Sequence, residues 1–230
     1  MGICAISQET IEFIDMTVTV MGLVSHLWDT AATVGNMVAP VTYPSSNVRV
    51  VDDEILGRPR PEDLVRVSAP LSRELTAELD GAVEFSGFDV EEILLAALGR
   101  AIARTIGIGV VTVSGLTAVQ PIRLCCADER DMAANALLVD VREALTPARQ
   151  LTTSPADVVF SYLGLPPDPS LGPLQVTDGP ALGVLGYRAD GELQMDWWYD
   201  ERRLDRCTVE ELTGQFRLGL IGLTSEASPV

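Results

Sequence analysis

Two segments in the last third of the chain carry side chains that could do chemistry. The first, residues 157–164, reads Asp-Val-Val-Phe-Ser-Tyr-Leu-Gly and supplies the hydroxyl groups of Ser161 and Tyr162. Either hydroxyl could orient a substrate carbonyl by hydrogen bonding. Adjacent side chains of a strand point to opposite faces, so we expect only one of the two to face a cavity. Neither has a histidine beside it in the sequence, which disfavours a nucleophilic serine.

The second segment, residues 193–200, reads Leu-Gln-Met-Asp-Trp-Trp-Tyr-Asp. As a strand it places Asp196, Trp198 and Asp200 on one face, with Tyr199 among the apolar residues of the other. The two carboxyl groups could act as acid and base if they are partly buried. The alternative is a solvated strand face. Trp198 could line a ligand surface if it is exposed, or it could pack beneath a helix.

The composition excludes several classes of function. The formal net charge is −17, which makes nucleic acids and anionic membranes poor partners. All 16 basic residues are arginine, so no lysine is available as a nucleophile or a Schiff base. The cysteines (Cys4, Cys125, Cys126 and Cys207) form no Cys-x-x-Cys pair, and the chain has one histidine, so we expect no metal site.

The expected location is the cytoplasm. Four cysteines without a disulfide pattern fit a reducing compartment. The first ten residues have no basic region of the kind that begins a secretory signal. The apolar stretch 16–41 is interrupted by His26, Asp29 and Asn36, so it does not predict a membrane span.

Strand and helix patterns alternate from Leu64 onward. The predicted strands cover 64–68, 108–113, 121–126, 157–163, 182–187 and 192–199. The predicted helices cover 72–79, ended by Asp80-Gly81, then 89–106, 131–145, and a last helix capped by Thr208 and Glu211. Asp190-Gly191 predicts a tight hairpin turn. This order predicts an α/β fold with a mixed sheet flanked by helices.

Three parts of the chain differ in how clearly their pattern can be interpreted. Residues 1–63 form a poorly legible N-terminal segment and a proline-punctuated linker. Residues 64–224 form the predicted α/β domain, and residues 225–230 form a short tail.

The order of elements from Leu64 onward resembles the C-terminal half of a condensation domain of nonribosomal peptide synthetases, in the chloramphenicol-acetyltransferase-like superfamily. The matching segments are Pro121-Ile-Arg-Leu124, Phe160-Ser-Tyr-Leu-Gly164 and Trp197-Trp-Tyr199, followed by the final helix. The resemblance implies one half of that two-part fold, in which the strand at 157–163 lines a substrate tunnel. The catalytic candidates on this strand and on the hairpin are Ser161, Tyr162 and Asp196. The substrate-binding candidates are Phe160, Trp198, Tyr199 and Asp200.

The chain departs from that family at its catalytic motif, because no His-His-x-x-x-Asp-Gly is present. The nearest segment is Ser25-His26-Leu-Trp-Asp29, which has one histidine and no following glycine. His26 is a candidate catalytic base, and a packed or surface histidine is the alternative. Residues 1–63 are also too few for the first half of the domain, which carries the motif in the family.

Two functional hypotheses follow from the resemblance. In the first, the chain is an enzyme of peptide or polyketide natural-product biosynthesis. It orients a late small-molecule or carrier-bound intermediate for intramolecular cyclisation or isomerisation, and it needs no cofactor. In the second, the chain is a non-catalytic or split half that pairs with another chain carrying the histidine motif, or with a second copy of itself. A scaffold for a carrier protein is a third possibility.

Overall fold

The computed structural model describes residues 46–115, 121–146, 155–167 and 180–229. His26, the candidate base, and Cys4 lie outside these residues. Residues 43–230 group into one compact unit, and everything below refers to the described part of it.

Six strands and four helices make up the described fold. The strands are β1 (Leu64–Ser68), β2 (Gly109–Ser114), β3 (Ile122–Cys126), β4 (Val158–Tyr162), β5 (Leu182–Ala189) and β6 (Glu192–Asp200). The helices are α1 (Arg73–Ser86), α2 (Val90–Thr105), α3 (Ala134–Leu145) and α4 (Arg206–Glu226). A short 3-10 helix, Pro61–Asp63, precedes β1.

The strands form one mixed sheet in the order β1-β6-β5-β4-β2-β3. Strands β2, β4 and β5 run parallel, whereas β3, β6 and β1 pair antiparallel with their neighbours. The β5–β6 hairpin turns at Asp190 and Gly191, which both have positive φ, as the Asp-Gly pair predicted. The predicted α/β architecture with a mixed sheet is confirmed.

All four helices pack on one face of the sheet. Their buried apolar residues form a single cluster with inward side chains of the strands, among them Val111, Phe160, Trp197 and Tyr199. Trp197 contacts Phe216 of α4 edge to face, with ring centroids 5.5 Å apart. We call this side the helix face and the opposite side the second face. The alternation of strand side chains therefore divides the candidate residues between two different environments.

Three helix boundaries differ from the sequence prediction, and one of them is the start of α3, which lies at Ala134 rather than at Asp131. Helix α1 does not stop at Asp80-Gly81 but continues to Ser86, because Ala82 and Ser86 extend the buried stripe of Leu75 and Leu79. Gly87, with φ of 73°, ends the helix instead.

Helix α4 begins at Arg206 rather than after a Thr208 cap. The amide of Val209 already donates to the carbonyl of Asp205, at 3.2 Å, and Asp205 is the N-cap residue. The predicted Thr208–Glu211 capping box is therefore wrong, whereas the Asp89–Glu92 box of α2 is confirmed.

Residues 47–53 lie against the sheet. Asn47 pairs with Val110 of β2 in parallel, and the amides of Asp52 and Asp53 donate to the carbonyl of Arg203. Val50 is fully buried in the core. Within the described ranges, no helix combines the length and the apolar character needed to cross a bilayer.

Candidate functional site

A row of four residues crosses the second face of the sheet. Ser68 of β1 is the register partner of Asp196, Asp196 pairs with Leu185 of β5, and Leu185 pairs with Ser161 of β4. Neighbouring strands are about 4.8 Å apart, so Ser161 and Asp196 are separated by about 10 Å across Leu185. Ser161 and Asp196 thus share a surface, but too far apart for a direct hydrogen bond.

Asp196 is held by two donors from the edge strand. Its side chain accepts hydrogen bonds from Nη2 of Arg66 at 2.6 Å and from Oγ of Ser68 at 2.7 Å. Only 3% of its surface is exposed. The alternative of a solvated strand face is therefore wrong for Asp196. A buried carboxylate with two fixed donors is suited to hold neighbouring groups in place.

Arg66 and Tyr187 complete the surroundings of this carboxylate. The guanidinium of Arg66 lies 5.5 Å from the centre of the Trp198 ring, a cation–π arrangement. The hydrogen bond to Asp196 raises the pKa of Arg66. Burial, together with the nearby Asp196 carboxylate, raises the pKa of Tyr187, whose hydroxyl therefore stays protonated at neutral pH. A protonated phenol can donate a hydrogen bond to the Asp196 carboxylate or to a substrate oxygen.

Trp198 is neither fully exposed nor covered by a described helix. Its side chain is half-buried and packs against a small apolar cluster of Val159 and Leu185 on the second face. Its register partner is Gly183, which has no side chain to obstruct the indole. The result is a half-buried aromatic surface next to the Asp196 carboxylate.

Asp200 lies on the same strand face as Asp196 but has separate partners. Its carboxylate accepts from the backbone amide of Arg202 at 3.1 Å and from that residue's Nε and Nη2 at 2.9 and 2.8 Å. Burial alone would raise the pKa of Asp200, but these hydrogen bonds and the charges of Arg202 and Arg203 together outweigh it and lower that pKa. Asp63 also contacts the same guanidinium, at 3.4 Å. The arrangement closes the turn after β6.

The remaining described candidates lie on the helix face. Phe160 and Tyr199 are buried in the core. Tyr162 is half-buried near the ion pair of Arg188 with Asp80 of α1, and its hydroxyl accepts from Nε of Arg188 at 3.4 Å. Ser161 and Tyr162 point to opposite faces, as predicted, and of these two only Ser161 shares the face of Asp196. The proposed roles of these residues stay predictions.

Arg66, Ser68 and Tyr187 were missed by the sequence analysis. Arg66 and Ser68 occupy alternate positions of the strand Leu64–Ser68, whose other alternate positions, Val65 and Val67, pack on the core. This period-two pattern of polar residues was the available signal. It could not indicate Asp196 as the partner, because that contact joins residues 130 positions apart.

The described cysteines form no site with these residues. Burial raises the pKa of Cys125 to about 11 and raises that of the adjacent Cys126 as well, so both are protonated and unreactive. Cys207 is exposed on α4. Among the residues that the structure describes, no three histidine, cysteine or acidic side chains are grouped so as to hold a metal ion.

The chain is similar in sequence to part of a much larger protein. It is 31% identical over 221 residues to a phenolphthiocerol/phthiocerol polyketide synthase component of Mycobacterium tuberculosis, and equally to the protein of the same name from Mycobacterium bovis. The alignment covers 74% of this chain and 15% of the relative. The chain therefore spans less than a sixth of the length of these curated relatives. No protein-family model matches the chain.

Solved structures show the same fold at low sequence identity. The epimerization domain from the third module of tyrocidine synthetase B superposes with a TM-score of 0.56 at 16% identity, covering 81% of this chain and 53% of that one. The EpoB cyclization-docking bidomain from Sorangium cellulosum superposes with a TM-score of 0.56 at 14% identity, covering 81% and 46%. The resemblance seen in the sequence is confirmed at the level of the fold: the chain has the architecture of one half of a condensation-type domain of the nonribosomal peptide synthetases.

Proposed function

We propose that the chain acts in polyketide or nonribosomal-peptide biosynthesis and orients a late intermediate for intramolecular cyclisation or isomerisation. The pathway class is supported by the sequence similarity to a polyketide synthase component and by the fold shared with synthetase domains. The intermediate would be a small molecule or an acyl group on a carrier protein. An isomerisation, or a cyclisation by addition such as a cycloaddition, leaves the mass of the intermediate unchanged, and the proposed step uses no cofactor.

One observation carries this proposal: the fixed polar groups beside Trp198 on the second face. Asp196 is locked by Arg66 and Ser68, and Tyr187 lies next to it with a protonated hydroxyl. Such groups can hold substrate carbonyls and hydroxyls while the indole packs against an apolar chain. Holding a flexible substrate in a reactive geometry can supply a large part of a rate gain without a nucleophile.

The test is to restore the reaction in an extract. Purified full-length chain is added to an extract of a producing strain that lacks this gene, and products are compared by mass spectrometry. We expect a new product with the mass of an accumulated intermediate. Trp198→Ala should slow its formation, whereas Arg73→Gln, at an exposed site on α1, should not. Loss of one water per product would indicate condensation instead, and would contradict the proposal.

A second candidate function is favoured by the extent of the structural match. The chain covers 53% of the epimerization-domain chain, about one half of a two-part fold. It would then supply one wall of a chamber whose other wall, with the histidine motif, comes from a partner polypeptide or a second copy of this chain. Light scattering of the chain alone shows whether it forms a dimer. The same measurement with a co-expressed partner that carries the motif shows whether the two chains form a complex. Activity of a monomer would exclude this second candidate.

A further inference from the structure

A cleft separate from the Ser161–Asp196 surface lies at the end of the sheet where β4 and β5 begin. Its volume is about 540 Å³. Three arginines (Arg49, Arg58 and Arg203) and one acid, Asp157, are among its lining residues. We call it the arginine cleft. It does not include any residue of the Ser161–Asp196 row.

One wall of the arginine cleft is the segment 55–59, which is held at Gly57 and through the residues just before it. The amides of Asp52 and Asp53 donate to the carbonyl of Arg203 at 2.8 and 3.2 Å. Nη2 of Arg202 donates to the carbonyl of Gly57 at 3.3 Å. Gly57 has φ of 102°, which other residues rarely adopt, so the course of the wall depends on this glycine.

The charge of the cleft is opposite to that of the whole protein. The chain carries a net charge of −17, yet the guanidinium groups outnumber the carboxylates among the lining residues. Arg49 pairs with Glu54 at 2.7 Å and lies 3.9 Å from Asp157, and the first of these pairs is exposed on both sides. Exposed ion pairs contribute little stability, so a ligand oxyanion can compete with Glu54 for Arg49.

Asp157 moderates this charge only in part. Burial raises its pKa, while the amide of Thr112 and the charges of Arg49 and Arg203 act in the opposite direction. An anion that enters the cleft would meet the guanidinium groups of Arg49, Arg58 and Arg203, with Asp157 as the one carboxylate among the lining residues.

An apolar rim accompanies the arginines. Leu56 is 95% exposed, and Ile55 is also exposed. Pro59, Pro155 and Pro180 add further apolar lining. Beside a cationic cleft, this apolar rim matches a ligand with a charged end and an apolar body.

We propose that the arginine cleft binds an oxyanion, carboxylate or phosphate, attached to an apolar chain. The arginines would hold the oxyanion by charge-assisted hydrogen bonds, and Ile55 and Leu56 would cover the first carbons of the chain. This binding site is independent of the proposed cyclisation or isomerisation and would persist if that proposal failed.

The test uses octyl phosphate, octanoate and inorganic phosphate as probes, titrated into the full chain by calorimetry at low salt. We expect saturable binding of at least one octyl compound. The double variant Arg49→Gln/Arg58→Gln should weaken it about tenfold, since two charge-assisted contacts are lost. Arg73→Gln, on the exposed surface of α1, should leave it unchanged. The octyl compound that binds more tightly shows whether the cleft prefers a phosphate or a carboxylate.

A second variant keeps the test independent of folding. Leu56→Ser changes a side chain that is almost fully exposed, so it should not affect stability. It should weaken the binding of the octyl compound and leave the affinity for inorganic phosphate unchanged. The proposal is overturned if neither octyl compound binds saturably, or if the double arginine variant binds as the wild type does.

Discussion

Nη2 of Arg66 lies 2.6 Å from Oδ2 of Asp196, and the bond joins residues 130 positions apart in the sequence. It links the edge strand β1 to β6 on the second face, and it places a guanidinium above the Trp198 ring. The same contact therefore does two things: it compensates a buried carboxylate, and it fixes the polar groups next to the aromatic wall.

Removing this guanidinium should destabilise the protein moderately. In Arg66→Gln, Asp196 keeps Ser68 but loses its charged partner, while 44% of the Arg66 side chain is already in solvent. We expect the free energy of unfolding to fall by about 1–2 kcal/mol. Urea denaturation measures the change. Arg73→Gln, whose ion pair with Glu192 is exposed, is the control and should change stability by less than about 0.5 kcal/mol.

Glu129 should contribute more than an ordinary surface acid. Its carboxylate lies 2.9 Å from Nη1 of Arg100, a fully buried residue of α2, and it also binds Arg104. Glu129→Gln leaves the Arg100 charge buried without this counter-ion, so we expect a loss of about 2–4 kcal/mol in urea denaturation. The control Glu210→Gln removes an exposed pair with Arg206 and should cost less than about 0.5 kcal/mol.

This loss should depend on pH with a definite sign. The hydrogen bond from Arg104, with the charges of Arg104 and Arg100, lowers the pKa of Glu129 in the folded protein. Its stabilising effect is then fully present above the unfolded pKa of about 4.3 and disappears as pH falls through the folded pKa. The stability difference between wild type and Glu129→Gln should therefore be largest at neutral pH and shrink below about pH 4. A stability difference that grows as the pH falls would contradict a stabilising role of this ion pair.

Two glycines in helices should respond to alanine in opposite ways. A Cβ on Gly99 of α2 would lie 2.5 Å from the backbone oxygen of Cys125, so the helix would have to move away from β3. We expect Gly99→Ala to cost about 1–3 kcal/mol. A Cβ on Gly81 of α1 would meet nothing within 4 Å, and Gly81→Ala should stabilise by about 0.5–1 kcal/mol. Thermal unfolding of both variants measures the contrast, and equal effects would refute it.

Local pattern was sufficient to predict most of the described elements. The Asp89–Glu92 capping box, the Asp190-Gly191 turn and the alternation through Trp197 and Trp198 depend on neighbours in the sequence. Alternation also predicted that Ser161 and Tyr162 lie on opposite faces of the sheet and that Asp196 and Trp198 share a face. The structure has both arrangements. The end of α1 could not be predicted in this way, because burial of Ala82 and Ser86 against the core outweighs the Asp80-Gly81 stop signal.

The chemical surroundings of the site were not predictable from one sequence. Whether Asp196 is solvated or buried depends on β1 pairing with β6, a contact between distant segments. The arginine cleft likewise gathers Arg49, Asp157 and Arg203 from three separate segments. Long-range strand pairing depends on the whole fold, so it cannot be predicted from residue spacing alone.

The second face, with Asp196, Arg66 and Trp198, is the proposed surface on which the biosynthetic intermediate binds and is oriented. The most direct measurement is product formation in the gene-deficient extract, followed by mass spectrometry, for wild type, Trp198→Ala and Arg73→Gln. We predict a product of unchanged mass from wild type and Arg73→Gln, and a much slower reaction with Trp198→Ala. Equal rates from all three proteins would contradict this role, because the reaction would then take place away from the second face.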